Sequence, residues 1–487
     1  MKYSPIKICL YICATLLLMY LMTFFSKNHQ LPIGKFQEGF VVKKWFFKYP
    51  KTASFFKQKE LDENQIKSLD SIVYNLSVTD SNDAEDAKII PIFTKIDTSK
   101  IERLSYPKDA KAFIKQLKIN LQSPKCRIIH YGDSQIEGDR MSGYIRNRLQ
   151  GYFGGSGPGF IPIVQVYQQI SANITPSPNW KRFAAFDPTH KRFSHQKYGA
   201  YTSLSRFTPV YDIEEDSLLL DKLELTKATI DIGVSQRSYA LLKNFTSIGL
   251  HYGNVQSPSA IQVNNDGVLM KSDTLIADGN YHKYSINLTS APTNLRIEID
   301  AKISPDFYGL TLDGEKGISL DNVAMRGASG TVFATMNSEN FSQMFQQLKP
   351  KVLIFQFGGN TVPYLKDSLS VINYAGYLKS QLNWTRTKTD NASIIFIGPS
   401  DMTTTENGEL ITYKLLPYLN QVLKQTCNEN GIAYWSMFDA MGGKNSMKHW
   451  VDQKLAGSDY THFSSSGTKV VSELFFVALY LDLMALK

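Results

Sequence analysis

The sequence predicts an α/β protein built on a parallel sheet, with an all-β domain inserted into it. Short apolar runs typical of buried strands alternate with helical stretches on either side of the middle of the chain. Between about 161 and 320 the helical periodicity nearly disappears, and clusters of Gly, Pro, Asn and Asp separate short alternating segments. With 487 residues, 43% of them hydrophobic, the chain is long enough for two or three domains with substantial cores.

The first part of the α/β domain is expected over residues 106–160. "PKDAKAFIKQLKINL", from Pro107, places its apolar residues at helical spacing. "CRIIHYG" at 126–132 is typical of a buried strand, and a second helix is expected to follow, with Ser134 at its start. Glu137 and Asp139 then fall in the first helical turn, where acids are favoured by the helix dipole.

The second part of the α/β domain is expected over residues 321–487. Three apolar runs predict strands: "KVLIFQFGG" from 351, "ASIIFIGPS" from 392 and "IAYWSMFDA" from 432. Helical stretches separate them, and a final helix, "GTKVVSELFFVALYLDLMALK", ends the chain. Alternating strands and helices predict a parallel sheet that is covered on both faces.

The inserted segment, 161–320, is expected to form a β-sandwich of the jelly-roll type. It is rich in aromatic residues, which include Trp180, Phe183, Tyr198 and Tyr201. Aromatic rings on a surface can stack on sugars, whereas aromatic residues at alternating strand positions more often form a core. Both interpretations stay open from the sequence.

The N-terminal part of the chain predicts a membrane anchor and a spacer. Ile8 to Phe25 is an uncharged stretch of about the minimum length that spans a bilayer, and no cleavage site follows it, so residues 1–30 are interpreted as a transmembrane signal anchor. Residues 31–105 are expected to be a stalk, with an aromatic and basic patch at 43–51 and a helix at 63–76.

Charge and cysteine content restrict the possible functions. The net charge is +9, but Lys and Arg are scattered along the chain, so a nucleic-acid partner is not expected. Cys126 and Cys427 lie outside the anchor and have no metal-ligand spacing, which predicts buried thiols or a single disulfide.

Four polar residues lie where an α/β sheet places its active site, two of them after predicted strands and two in the loop before the last helix. They are Ser134, Asn360, Asp459 and His462. A serine hydroxyl needs a histidine to take its proton, and that histidine needs a carboxylate to fix its tautomer. Asp459 and His462, three residues apart in one loop, can supply both groups, while a backbone glycine N–H and the Asn360 amide can bind an oxyanion.

Each of these residues also has a structural interpretation. Ser134 can cap a helix, His462 can lie on the surface, Asp459 can cap the last helix, and Asn360 can take a left-handed conformation in a turn. Their combined placement favours catalysis. Asp133 is interpreted as a scaffold for its loop.

The motifs "GDS" at 132–134, "GGN" at 358–360 and "DYTH" at 459–462 resemble conserved blocks of the SGNH (GDSL-type) hydrolases. The resemblance implies a three-layer, flavodoxin-like fold, a Ser134–His462–Asp459 triad, and an oxyanion hole made by Ser134, Asn360 and a glycine. That glycine is Gly327, with Gly330 as the alternative. Thr361 departs from the family pattern, which has Asp after the block III Asn.

The inserted domain and "GGSGPGF" at 154–160 are similar to bacterial peptidoglycan O-acetylesterases and the related O-acetyltransferases, whose inserted module resembles a carbohydrate-binding domain. The implied function is hydrolysis of O-acetyl esters on a cell-envelope glycan, without metal or cofactor. Two alternatives remain: acetyl transfer to a glycan with a membrane-bound O-acyltransferase as partner, and glycan binding without catalysis. The implied location is the bacterial cell envelope, with an inner-membrane anchor and the body in the periplasm.

Overall fold

The computed structural model describes residues 10–18, 39–42, 45–48, 98–211 and 219–485. The chain divides into two units, Met1–Glu63 with Thr404–Ile411, and Asn64–Thr403 with Thr412–Lys487. In the first unit, residues 10–18 form helix α1, and strands β1 (Gly39–Val42) and β2 (Trp45–Lys48) form an antiparallel hairpin. None of the described helices combines the length and apolar content needed to cross a membrane.

Two N-terminal predictions fall largely outside the described residues. The predicted anchor, Ile8 to Phe25, is described only over α1, and the predicted helix at 63–76 is not described. The hairpin β1–β2 overlaps the aromatic and basic patch, which the sequence had assigned to a stalk.

The remaining strands are β3 (Lys125–Gly132), β4 (Gly159–Ile161), β5 (Ala172–Pro176), β6 (Lys181–Ala184), β7 (Ser203–Arg206), β8 (Thr226–Val234), β9 (Ser247–Gly253), β10 (Ser259–Asn265), β11 (Val268–Thr274), β12 (His282–Asn287), β13 (Leu295–Ala301), β14 (Asp306–Asp313), β15 (Gly317–Ala324), β16 (Pro350–Gln356), β17 (Ser393–Ile397), β18 (Thr403–Glu406), β19 (Glu409–Thr412) and β20 (Ala433–Trp435). The remaining α-helices are α2 (Ala110–Leu121), α3 (Arg140–Phe153), α4 (Leu219–Lys222), α5 (Ser338–Leu348), α6 (Ser368–Arg386), α7 (Leu416–Glu429), α8 (Met437–Ala440), α9 (Ser446–Asp452) and α10 (Ser465–Ala485).

Five parallel strands form the central sheet in the order β15-β3-β16-β17-β20. Counted along the chain, this order is 2-1-3-4-5, the order of flavodoxin-like folds. The strand order reverses between β3 and β16, and ligands of such sheets bind outside the carboxyl ends of the strands at that point. The predicted α/β fold with a parallel sheet is confirmed.

Helices cover both faces of the sheet because successive strand residues point to opposite sides. Ile128 and Ile354 face the apolar cluster that contains residues of α2, α3 and α10. Ile129 and Phe355 face the cluster formed with α5, α6 and α7. The domain therefore has three layers, and the continuous apolar runs of the sequence reflect burial on two faces.

The inserted segment forms two antiparallel sheets, with orders β11-β10-β13-β8-β5 and β12-β9-β14-β7-β6. Apolar residues of both sheets, such as Ile230, Ile297, Leu250 and Leu310, share one buried core. The predicted additional β domain is thus confirmed.

The ends of the insertion differ slightly from the prediction. β4 already pairs with β14 of the insertion, while β15 pairs in parallel with β3 in the central sheet. The predicted boundary at 320 therefore falls inside a strand of the α/β domain. In the "GGSGPGF" motif, Gly155 and Gly159 have positive φ, and a Cβ on either would lie 2.4 Å from backbone atoms of β15. These glycines let the chain leave the α/β domain in close contact with its edge strand.

The four aromatic residues of the insertion that the sequence singled out contribute to packing and not to an exposed sugar-stacking face. Trp180, Tyr198 and Tyr201 are buried, and Phe183 is partly buried. Tyr201 stacks on Phe160 with ring centroids 3.7 Å apart. The core interpretation is correct for these residues.

The α/β domain begins before the predicted end of the stalk at 105. Ile101 and Leu104 are buried in its core. Ser105 forms an antiparallel bridge with Tyr434 beside the central sheet, and the Tyr106 hydroxyl donates to Asp482 at 2.6 Å. The residues just before 106 are therefore part of the folded domain.

The two cysteines of the α/β domain are free thiols. Cys126 lies on β3 in one apolar cluster, and Cys427 lies on α7 in the cluster on the opposite face of the sheet. The sheet separates them, so the disulfide that the sequence left open does not form.

Candidate active site

Ser134 lies at the start of a short 3₁₀ segment, Ser134–Asp139, that follows β3. The Asp133 carboxylate caps this segment by accepting the Gln135 N–H at 3.0 Å. Gly138 has φ 67°, the helical path is interrupted there, and α3 begins only at Arg140. The prediction that Ser134 opens the long helix is therefore wrong, and its N–H does not share the dipole of α3.

Glu137 lies in the first turn of the short 3₁₀ segment and not of α3, whereas Asp139 directly precedes α3 and is not a first-turn acid, which corrects a second expectation. Asp139 is fully buried and accepts two hydrogen bonds from the Arg146 guanidinium, at 2.6 and 2.9 Å, and another from the Ser171 hydroxyl. A buried carboxylate requires such partners. Through Arg146 and Ser171, the Asp139 carboxylate joins the turn after Ser134 to α3 and to the start of the insertion.

Asp459 and His462 lie in the loop before α10, and the structure brings both to Ser134. The His462 N–H and the Thr461 N–H each donate to Asp459 Oδ1 at 3.1 Å. The second carboxylate oxygen, Oδ2, is 2.7 Å from His462 Nδ1. His462 Nε2 is 2.9 Å from Ser134 Oγ. These contacts form a continuous Ser–His–Asp chain, the arrangement that activates a serine hydroxyl.

The Asp459 carboxylate is suited to orient the imidazole. Partial burial acts to raise its pKa, but the hydrogen bonds from the His462 side chain and from the His462 and Thr461 backbone outweigh this and hold the pKa below its usual value. An ionised carboxylate accepts a hydrogen bond, so the proton of a neutral His462 ring lies on Nδ1 and Nε2 can accept the Ser134 proton.

Asn360 and Gly327 lie on the same cavity as Ser134 and His462. Asn360 belongs to a short 3₁₀ segment after β16, and its φ is not positive, which excludes the left-handed turn interpretation. Its amide nitrogen donates to the Ala328 carbonyl at 3.1 Å. Because an amide nitrogen carries two hydrogens, this bond orients the side chain and leaves one donor.

The structure also distinguishes between Gly327 and Gly330, the two glycines proposed for the oxyanion hole. A Cβ added to Gly327 would meet no atom within 4 Å, whereas one added to Gly330 would lie 2.8 Å from the Phe357 ring. Gly330 is thus packed in the core, and Gly327 lines the cavity. The geometry favours Gly327 for the predicted oxyanion role.

Asp133 directly precedes Ser134 and lines the same cavity as His462. Its carboxylate is buried and accepts the Gln135 N–H. Burial raises its pKa to about 6. This placement agrees with its interpretation as a scaffold for the loop.

Two residues that join the serine turn to the histidine loop were missed from the sequence. The Arg140 guanidinium donates to the Ser134 carbonyl at 2.6 Å and to the Phe463 carbonyl at 3.3 Å. The Gln135 side chain donates to the Thr461 carbonyl at 2.7 Å. Since their acceptors are backbone carbonyls, no motif in the sequence could have indicated these contacts.

The candidate site opens into a cavity of about 200 Å³, which we call the first cavity. Ser134, His462, Asn360 and Gly327 line it together with apolar residues. The apolar lining comprises Phe357, Pro399, Met402 and Met437. A small acyl group beside a serine hydroxyl fits such a lining.

Comparison with known proteins defines the fold further. No family model and no curated protein matches the chain. A solved structure described as a peptidoglycan O-acetylesterase in action matches at 19% identity and a TM-score of 0.60, covering 78% of this chain and 99% of the other. A family two carbohydrate esterase from Clostridium thermocellum in complex with cellohexaose covers 52% of this chain and 92% of its own at 10% identity, but its TM-score of 0.23 adds nothing to the fold assignment.

The chain shares the fold of a solved structure described as a peptidoglycan O-acetylesterase. Ser134, His462 and Asn360 line one cavity, and Asp459 completes the hydrogen-bonded chain through His462. The predicted resemblance to O-acetylesterase structures is confirmed for the fold. The match extends well beyond the α/β domain, so this chain resembles an O-acetylesterase structure in its β insertion as well.

Proposed function

We propose that this protein is a serine carbohydrate esterase that removes O-acetyl groups from a peptidoglycan-like glycan of the cell envelope. The observation that carries the proposal is the hydrogen-bonded chain from Ser134 Oγ through His462 to Asp459 at the first cavity. The O-acetylesterase structure with the same fold supports an ester of a glycan as the substrate class.

In the proposed reaction, Ser134 Oγ attacks the acetyl carbonyl while His462 Nε2 takes its proton. The negative charge that develops on the carbonyl oxygen is stabilised by the N–H groups of Ser134 and Gly327 and by the Asn360 amide. Collapse of the tetrahedral intermediate breaks the ester bond, and His462 returns its proton to the sugar oxygen. Water, deprotonated by His462, then attacks the acetyl-serine, and acetate leaves as Ser134 regains its proton.

The proposed location is the periplasm of a bacterium, with the segment from Ile8 to Phe25 as the inner-membrane anchor. The supporting observation is the length of this uncharged stretch, and the proposed substrate, a cell-envelope glycan, requires the same location. A membrane-bound O-acyltransferase is the expected partner if a glycan hydroxyl takes the place of water. Fusion of an enzyme active only in the periplasm to the C-terminus tests this orientation, and an inactive fusion would contradict it.

The test of activity uses the full chain purified in detergent. Acetate release is measured from 4-nitrophenyl acetate and from O-acetylated peptidoglycan, with Ser134→Ala as the variant and Ser380→Ala, an exposed serine of α6, as the control. We expect Ser134→Ala to lose at least about 1,000-fold in kcat, because the nucleophile is removed. A wild type that releases no acetate from either substrate refutes the esterase. Equal activity of Ser134→Ala excludes Ser134 from the mechanism, and acetylated acceptor glycan in place of free acetate identifies a transferase.

A further inference from the structure

A second cavity lies where the α/β domain meets the β insertion. Its volume is about 30 Å³. Glu137 and Asn322 line it from the α/β domain, Arg182 and Tyr201 from the insertion, and Gln169 from the segment that connects them. A single water needs roughly 10 to 15 Å³ in such a space, so the second cavity admits a substituent of a few atoms but not a sugar ring.

The two cavities are neighbours. Arg326 lines the first cavity, and its guanidinium donates to the hydroxyl of Tyr167, which lines the second, at 2.8 Å. Ala324 lines the second cavity and Gly327 the first, and three residues of chain span at most about 11 Å. One glycan can therefore reach both cavities.

The second cavity contains buried polar atoms without a hydrogen-bond partner in the described part of the chain. They are Arg182 Nε, Asn322 Nδ2 and Gln169 Oε1. The Asn322 and Gln169 side chains belong to residues that are 1% and 5% exposed. Their surroundings hold them in place: Asn322 Oδ1 accepts the Ser142 hydroxyl at 3.0 Å, and Arg182 Nη2 donates to Ser203 at 3.2 Å. Buried polar groups are usually hydrogen-bonded, and a ligand in the second cavity can supply partners for these three atoms together.

The charges of the second cavity favour a neutral ligand. The Glu137 carboxylate disfavours an anion, and the Arg182 guanidinium disfavours a cation. Arg182 is a donor only, whereas the amides of Asn322 and Gln169 each provide donors and an acceptor. A neutral group with a carbonyl acceptor and an N–H donor matches this set. Phe160, Pro162 and Val166 add an apolar wall that a methyl group can contact.

We propose that the second cavity binds the acetamido group of a sugar in the chain that carries the O-acetyl ester. The inference rests on the proposed esterase function and makes the protein selective for glycans of 2-acetamido sugars. The acetamido carbonyl accepts from Arg182 and Asn322, its N–H donates to Gln169, and its methyl group contacts the apolar wall. The acetyl ester then lies in the first cavity beside Ser134.

The test compares three substrates of the full-length protein: 4-nitrophenyl acetate, an O-acetylated oligosaccharide of 2-acetamido sugars, and O-acetylated xylan, which has no acetamido group. The variants are Arg182→Met and Gln169→Met, which keep side-chain length and remove the polar atoms. The control is Arg296→Met, because Arg296 pairs with Asp231 on the exposed face of β13 and lines neither cavity.

We expect each variant to lower kcat/KM for the acetamido oligosaccharide about ten-fold, as the loss of a buried hydrogen bond predicts. Activity on 4-nitrophenyl acetate and xylan should stay within about two-fold of the wild type, and Arg296→Met should match the wild type on all three. Parallel loss on all substrates, no loss on any, or equal wild-type activity on both glycans overturns the inference. Failure of the wild type on every substrate refutes instead the esterase function on which the inference rests.

Discussion

Replacing Asp459 with asparagine tests whether this carboxylate sets the tautomer of His462. Asp459 Oδ1 accepts the backbone N–H groups of Thr461 and His462, both at 3.1 Å. Only an oxygen can accept these two bonds, so the amide nitrogen of the asparagine must take the place of Oδ2. That atom is 2.7 Å from His462 Nδ1 in the structure.

An amide nitrogen at this position donates to Nδ1, which must then be unprotonated. The ring proton moves to Nε2, where it points at Ser134 Oγ, 2.9 Å away. A protonated Nε2 cannot accept the serine proton. The corresponding change in a serine protease lowers kcat about 10⁴-fold, and we expect a loss of the same order, equal to about 5.5 kcal/mol in the activation barrier.

The assay is kcat for 4-nitrophenyl acetate at saturating substrate, with Asp133→Asn as the matched control. Asp133 is the other carboxylate of the site, and its bond from the Gln135 N–H can be kept by an asparagine oxygen. We therefore expect the control to lose less than about ten-fold, as for a single neutral hydrogen bond. Asp459→Asn should remain folded, because the Asp459 side chain is about half exposed.

Two results would refute this reasoning. If Asp459→Asn keeps more than about a tenth of the wild-type kcat, the carboxylate does not set the tautomer. If Asp133→Asn loses more activity than Asp459→Asn, the buried carboxylate beside Ser134 has the role that we assign to Asp459.

Three further predictions follow from the geometry of the site. Gly327→Ala should lower kcat, and its positive φ alone should cost about 1 to 2 kcal/mol of stability. Gly330→Ala, whose new Cβ also meets the Phe357 ring, should lose about 1 to 3 kcal/mol more. Kinetics and urea unfolding measure the two effects, and equal stability losses for the two variants would contradict the packing argument. Because burial raises the pKa of Asp133 to about 6, the folded state holds its proton more tightly than the unfolded state, so this residue reduces stability as the pH rises from about 4 to 6; Asp133→Asn should therefore gain about 2 kcal/mol relative to the wild type between pH 4 and pH 7, and a stability difference independent of pH would refute the burial effect. Arg140→Met should reduce kcat about ten- to a hundred-fold with little change in KM, because the carbonyls of Ser134 and Phe463 lose their hydrogen bonds to the guanidinium. An unchanged kcat would show that the serine turn and the histidine loop keep their positions without Arg140.

Elements that depend on local sequence were predicted well. The helical spacing after Pro107 corresponds to α2, which Asp109 caps by accepting the Ala112 N–H. The apolar runs correspond to β3, β16, β17 and β20. Such patterns identify helices and strands reliably because the spacing of the apolar residues reflects which side of the helix or strand is buried.

The errors occurred where a distant partner decides the local structure. Asp139 has the position of a first-turn acid, but the buried Arg146 guanidinium draws it into the core while Gly138 interrupts the helix. The predicted end of the insertion at 320 was wrong because the segment around it, β15, pairs in parallel with β3 and so belongs to the central sheet. For Tyr201 the sequence left a sugar-binding surface and a core position open, and its stacking on Phe160 in the folded protein decided for the core.

The sequence by itself determined the α/β class, the inserted β domain and the candidate residues Ser134, Asn360, Asp459 and His462, since periodicity and residue chemistry are local properties. Tertiary structure decided the remaining features: the choice of Gly327 over Gly330, the contacts of Arg140 with two loops, and the second cavity with Arg182, Gln169 and Asn322. Each of these depends on distances between segments far apart in the chain. Such distances are fixed by the packing of the sheet, its helices and the insertion, and no local pattern encodes them.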